Sequence, residues 1–366
     1  MNISIDKKEL GDAMGVVSRF AERRGATLPV LGGIAIIATK ESIRLCATNL
    51  ETGIDLTITG SVKTPGNIAL PATVLKEITS SFSGTGVLTL EQTGDTALIS
   101  SGSAKSTIKT LSYEDFPTLS VPESSKTSFT LSGTILRNLI QSVASCASPS
   151  TVRPELASIL LSAEGGVVKA VATDSFRLAE KKVSVSGKVE PFSILIPAKN
   201  ALDIAQTLPD DEIKVQADAH QCSFSFKNGV VVTRLVAASY PDYAQIIPKT
   251  SVAEATILKK DFEAGLRRAS VFTDAFQKVR LGLDVGKKQL ILSARNADVG
   301  ETSESLPVAA SGDSIELSFN HRYLQAPIPL ITTESLTLSA AGIGRPLVIR
   351  GQGDTSFLYL VMPMNQ

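Results

Sequence analysis

Apolar and polar residues alternate over ISID at positions 3–6, and the apolar positions then recur every third or fourth residue at Leu10, Ala13, Met14, Val17 and Ala21. A change of period from two to about 3.6 marks a strand running into an amphipathic helix, expected here over residues 6–24. Three short strands follow, LGGIAIIA, SIRLCAT and GIDLTIT, separated by polar or glycine-containing breaks. The strand, helix and three-strand pattern recurs around PATVLKEITSSF, with strands VLTLEQ, TALISS and KSTIKTL. Helices with one apolar stripe and sheets with one apolar face bury those surfaces against each other, which predicts two-layer α+β domains.

The same order of landmarks appears three times. A strand entering a helix is seen in ISIDKKEL, FTLSGTIL and TILKKDF, and Leu10, Leu136 and Phe262 are each 126 residues apart. Strands ending in alanine and a polar residue carry Ala47, Ala172 and Ala294, spaced by 125 and 122. LPATVLKEI, IPAKNALDI and FNHRYLQAPI each feed a second helix, and DFP, SYP and VMP close the units at Pro117, Pro241 and Pro363. Four landmarks keeping one spacing predict three tandem domains at 1–122, 123–249 and 250–366, since the period is far longer than a solenoid unit.

Charge refines this picture. The 36 basic and 36 acidic residues cancel, so bulk electrostatics would not hold nucleic acid. The six expected helices, 6–24, 71–82, 132–147, 197–207, 259–272 and 320–331, nevertheless hold thirteen basic against eight acidic residues. Solvated helix faces would account for this, and so would a lining facing phosphates, with Arg23, Arg24, Arg137, Lys199, Lys259, Lys260, Arg267 and Arg268 as contacts. Backbone contacts carry no sequence information and suit a protein that slides.

Cys46, Cys146 and Cys222 are odd in number and widely spaced, and His220 and His321 are the two histidines, so neither a disulfide framework nor a metal site is expected. No cofactor motif, phosphate loop or nucleophile elbow is present, which argues against an enzyme. Asp174 with Arg177 reads as an ion pair beside a turn. No apolar run would span a bilayer and the N-terminus lacks an apolar signal stretch, so no membrane partner and a cytoplasmic location are expected. An adhesive repeat protein that never touches DNA is the competing class; it would bind partners along its sheet faces.

The three αβ repeats, with VATDSFRLAE at 171–180, SYPDYAQIIP at 239–248 and YLVMPM at 359–364, resemble the bacterial DNA polymerase III beta subunit family of sliding clamps over the full chain. The resemblance implies a DNA-clamp fold and a head-to-tail homodimer, a six-domain ring that encircles double-stranded DNA without sequence preference. It implies contact between the strand near Ile108 and the helix end near Val271 and Phe272, residues that could equally be core. It implies a pocket for linear peptides of Leu156, Thr173, Ser175, Phe176, Arg177, Leu178, Pro241, Ile246, Phe276, Asn320, Tyr323, Pro346, Val361, Met362, Pro363 and Met364. The implied partners are the DNA polymerase III alpha subunit, an ATP-dependent clamp loader, and other clamp-binding repair and replication proteins. Phe176, Gln245 and the Asn365-Gln366 ending depart from the family pattern, so the peptide preference is expected to differ.

Overall fold

Each repeat spells one order of elements, strand–helix–three strands twice over, in the computed structural model, which describes residues 1–22, 28–82, 85–122, 127–185 and 189–364. Repeat 1 runs β1 (Asn2–Asp6), α1 (Lys7–Val17), β2 (Gly33–Ala38), β3 (Ile43–Thr48), β4 (Thr52–Ile58), β5 (Ser61–Thr64), β6 (Gly66–Pro71), α2 (Ala72–Ser81), β7 (Val87–Thr93), β8 (Thr96–Ser101) and β9 (Ala104–Lys109). Repeat 2 runs β10 (Thr127–Ser132), α3 (Gly133–Ala144), β11 (Ser158–Glu164), β12 (Val167–Thr173), β13 (Arg177–Ser184), β14 (Phe192–Pro197), α4 (Ala198–Ala205), β15 (Glu212–Ala217), β16 (Gln221–Phe226) and β17 (Gly229–Arg234). Repeat 3 runs β18 (Ala253–Leu258), α5 (Lys259–Ser270), β19 (Lys278–Asp284), β20 (Gln289–Asn296), β21 (Gly300–Pro307), β22 (Ala309–Gly312), β23 (Ile315–Asn320), α6 (His321–Gln325), β24 (Ser335–Ala340), β25 (Leu347–Gly351) and β26 (Phe357–Val361).

All six expected helices form, four within a few residues of the expected bounds and two much shorter than the apolar pattern predicts. α1 begins where Asp6 accepts from the Lys8 and Glu9 amides and ends at Val17 in a turn rather than continuing to 24. Arg23 and Arg24 lie outside the described residues. The last helix was expected to reach 331 but stops at Gln325, because Pro327 and Pro329 remove the amides a helix would need; a 3-10 turn, Ile328–Leu330, replaces it. Two strands were not anticipated, β5 and β22, both four residues long and mostly exposed.

The chain forms two compact units whose limits differ from those of the repeats. Unit 1 comprises Met1–Arg137 and Lys199–Ala237; unit 2 comprises Asn138–Ala198 and Ala238–Gln366. Repeat 2 is thus shared between them, because antiparallel ladders pass from one repeat to the next. In unit 1, β4 pairs with β17, Thr52 opposite Thr233, within an eight-stranded sheet ordered β10-β15-β16-β17-β4-β3-β2-β6. In unit 2, β13 pairs with β26, Arg177 opposite Val361, within a nine-stranded sheet ordered β14-β11-β12-β13-β26-β25-β24-β18-β22. Smaller sheets, β5-β1-β7-β8-β9 in unit 1 and β21-β20-β19-β23 in unit 2, complete the set.

Helices cover the sheets as the stripes require. Leu10, Ala13, Met14, Val17 and Ala21 are all buried, and α1 packs on β3 and β4. Burial of each large side chain of that stripe contributes about 1.5–3 kcal/mol. α5 packs on β20 and β21 through Phe262, Leu266 and Ala269, with Gly265 between them. A Cβ at Gly265 would lie 2.8 Å from a Leu292 methyl and 3.0 Å from one of Leu306, so glycine sets how closely this helix approaches its sheet. Among the described residues, no helix is long and apolar enough to cross a membrane.

Candidate functional site

In unit 2 the chain turns between β12 and β13 through Thr173, Asp174, Ser175 and Phe176. The Asp174 carboxylate accepts from the Phe176 and Arg177 amides, both at 2.9 Å, and the Thr173 hydroxyl donates to the Arg177 carbonyl at 2.8 Å. Ser175 takes φ +77° to close the turn, a conformation that short polar residues tolerate better than branched ones. The outcome is to hold Phe176 outward with 61 % of its surface exposed. The final strand adjoins it, and the Met362 amide donates to the Phe176 carbonyl at 2.8 Å.

Arg177 points across this surface. Its Nε donates to Asp174 at 3.0 Å and its guanidinium lies 4.5 Å from the centre of the Tyr323 ring. Tyr323 sits on α6, whose N-cap is Asn320: the side-chain oxygen accepts from the Arg322 amide at 2.9 Å and the amide nitrogen donates to the Phe276 carbonyl at 3.3 Å. A second carboxylate-built turn, in which Asp274 accepts from the Phe276 and Lys278 amides, leaves Phe276 72 % exposed. Met364 is tied to β23 by its amide, 2.7 Å from the Ser318 carbonyl.

Ile246, Pro346 and Met362 line a cleft of about 740 Å³ together with Gln245, Lys249 and Arg345. Of the sixteen residues expected here, Ser175, Phe176, Pro241, Ile246 and Phe276 are exposed, and Arg177, Asn320, Tyr323, Met362, Pro363 and Met364 are half-buried. Leu156, Thr173, Leu178, Pro346 and Val361 are buried and form the base rather than the surface. Beneath lies a polar layer. Burial pushes the Tyr240 and Tyr359 phenols up, and it pushes the Cys146 thiol up to about 12. Tyr243 is raised by burial and by donating to Glu180 at 2.7 Å, which fastens the segment before Ile246 to β13. This is a firm base under a pliable apolar rim of methionine and aliphatic side chains.

Among the described residues each sheet ends in two edge strands, and two of these edges carry charge of opposite sign, β9 in unit 1 and β21 in unit 2. The first carries Lys105 and Lys109, the second Glu301 and Glu304. Ile108 is buried on β9 against its own sheet, while Val271, just past α5, is 63 % exposed and Phe272 is half-buried with its ring over Gly300.

Three family models match in series along the chain: the DNA polymerase III beta subunit N-terminal domain over residues 1–120, the central domain over 130–242 and the C-terminal domain over 244–365. The chain belongs to the DNA polymerase III beta subunit family. A beta sliding clamp from Pseudomonas putida is 28% identical over 376 aligned residues, covering 100% of both chains. Among solved structures, the DNA polymerase III subunit beta from Pseudomonas aeruginosa matches with TM-score 0.94 at 24% identity and full coverage of both chains. The beta subunit from Thermotoga maritima matches with TM-score 0.93 at 23% identity, over 100% of this chain and 99% of that one. The beta-subunit chain described here is accordingly a DNA sliding clamp, a non-catalytic processivity factor.

The basic residues expected to face DNA in this beta-subunit chain are differently engaged. Arg137 donates to the Ala205 and Leu208 carbonyls and to Asp210, so its guanidinium caps the end of α4. Lys259 donates to the Ile331 carbonyl at 2.7 Å, and Arg268 forms a two-bonded pair with Glu304. Arg267 lies 3.6 Å from Glu263. Lys199 and Lys260 are exposed and, among the described residues, form no ion pair. Within their observed bounds the six helices hold ten basic and six acidic residues, so the bias read from the sequence persists. Lys249 and Arg345, which flank the cleft, were not singled out from sequence; adjacency to SYPDYAQIIP was the available signal for the first.

Proposed function

We propose that this clamp acts as a head-to-tail homodimer whose six domains, 1–122, 123–249 and 250–366 from each chain, close a ring around duplex DNA. The supporting observation is the opposite charge of two edge strands, β9 in the first repeat and β21 in the third. A strand with free amides and carbonyls invites another strand, and a heterologous contact that closes on itself removes both edges that meet in it. β9 and β21 carry opposite charge, Lys105 and Lys109 against Glu301 and Glu304, which favours joining the first repeat of one chain to the third repeat of the next, with Glu301 and Glu304 shared between those lysines and their own Arg295 and Arg268. Ile108, Val271 and Phe272 lie beside that seam in this reading.

Helices with an excess of basic residues then face the phosphates, Lys199 and Lys260 with their ammonium groups unengaged, and retention comes from enclosure. The cleft and rim around Phe176, Tyr323 and Met362 receive a short apolar peptide of the polymerase alpha subunit, and of repair and replication proteins in competition with it. An ATP-dependent loader opens the ring, and the protein works in the cytoplasm. The deciding experiment is topological. The loaded dimer is expected to remain on closed circular duplex through gel filtration and to be lost when the circle is cut once; equal retention on both forms overturns the proposal.

A further inference from the structure

The turn that presents Phe176 has a twin in unit 1. Thr48 to Thr52 close β3 onto β4 as Thr173 to Arg177 close β12 onto β13. The Thr48 hydroxyl donates to the Thr52 carbonyl at 2.9 Å, against 2.8 Å for the Thr173 counterpart. The Asn49 side-chain oxygen accepts from the Glu51 and Thr52 amides at 3.0 and 2.8 Å, where Asp174 accepts at 2.9 Å twice. Leu50 takes φ +70° where Ser175 takes +77°. The Arg234 amide donates to the Glu51 carbonyl at 2.8 Å, the length of the Met362 bond to Phe176.

The turns share their bonding while most of their side chains differ, and one of the exchanged positions sets the room beside the turn. The second residue of the strand after the turn is Leu178 in unit 2, fully buried, and Gly53 in unit 1. A Cβ at Gly53 would lie 2.2 Å from a methyl of Leu119, so that side chain, from the segment following β9, fills the room that Leu178 fills in the twin. With Leu119 seated, the groove bounded by Leu50, Gly53, Pro117, Val232 and Arg234 keeps about 170 Å³.

We propose that unit 1 carries a self-occupied counterpart of the peptide pocket, in which the chain's own segment Pro117–Ser120 is the ligand and Leu119 its anchoring side chain. The inference rests on the peptide reading of the unit 2 turn, but its test reads unit 1 residues alone and so fails or succeeds separately. A tethered segment acts at an effective concentration in the millimolar range, so a weak contact keeps the groove filled against partners present at far lower concentration. Each chain then offers partners one receptive pocket, although the fold builds two such turns.

Full-length protein with labelled leucine and valine methyl groups is titrated with acetyl-FPTLSV-amide, the sequence of residues 116–121. In Leu119→Ala the Leu50 and Val232 signals are expected to move saturably at millimolar peptide, and in the unsubstituted protein to stay still. The control peptide FPTASV is expected to move them in neither. Gly53→Ala gives an independent reading: its methyl displaces Leu119, and chymotryptic cleavage after Leu119 is expected to rise about tenfold as the segment opens. Unmoved signals in Leu119→Ala, equal movement in both proteins, or unchanged cleavage of Gly53→Ala would each overturn the proposal.

Discussion

Phe176 is held outward by bonds its own ring does not make: the Asp174 carboxylate and the strand bearing Met362 fix its backbone, while the ring meets solvent. Replacing it by alanine therefore leaves the fold alone and removes the aromatic ring of the proposed peptide site. Affinity for a polymerase-derived peptide is expected to fall by about 2 kcal/mol, with the dimer unchanged in light scattering. His321 behaves differently. Burial, with Arg322 beside it, lowers its basicity, an effect partly offset by Gln325, and its Nδ1 has no partner. A pKa lower in the folded than in the unfolded chain gives stability that is present above the ordinary histidine value of about 6.5 and is lost as pH falls below it. The urea midpoint of unit 2 is expected to drop over that window, and His321→Gln to flatten the drop. Neither role could be read from sequence: Phe176 was reached through family resemblance, and His321 stands in a stretch whose burial only the fold reveals. Arg137 teaches the same, since its partner Asp210 is remote in the chain.

The elements themselves were largely legible, because a stripe at helical spacing must meet an apolar sheet face whatever the long-range arrangement. Leu10 to Ala21 illustrates this. What escaped were elements without such a signature: β5, SVKT, and β22, AASG, are short exposed edges that bury too little apolar surface to impose a pattern. The ladders between repeats escaped for another reason, since alternation fixes which face of a strand is buried but not which distant strand lies beside it. Short α6 depends on its cap. Asn320→Ala removes both the bond to the Arg322 amide and the tie to Phe276, at a cost of about 1 kcal/mol. Asn320→Asp keeps the first and loses the second. Urea denaturation should show the aspartate variant recovering most of the stability while peptide affinity stays reduced, and equal loss in both would show that the cap is unimportant.

For the whole molecule, the spacing of landmarks gave the threefold repeat, and the family gave the ring. With β9 and β21 joined as proposed, their opposite charge makes the ring sensitive to ionic strength. Lys105→Glu with Lys109→Glu places like charges across the proposed seam, and dimer dissociation is expected to rise steeply as salt is lowered, whereas the unsubstituted dimer should loosen as salt is raised. Sedimentation at two ionic strengths distinguishes these trends. The inter-repeat ladders carry a mechanical corollary. Five consecutive residue pairs join β4 to β17, and five join β13 to β26. Pulling along such strands loads all five pairs together, while a seam between chains can be peeled from one end a bond at a time. In the proposed ring, a modest opening force therefore parts the joints between chains and leaves the welds between repeats intact.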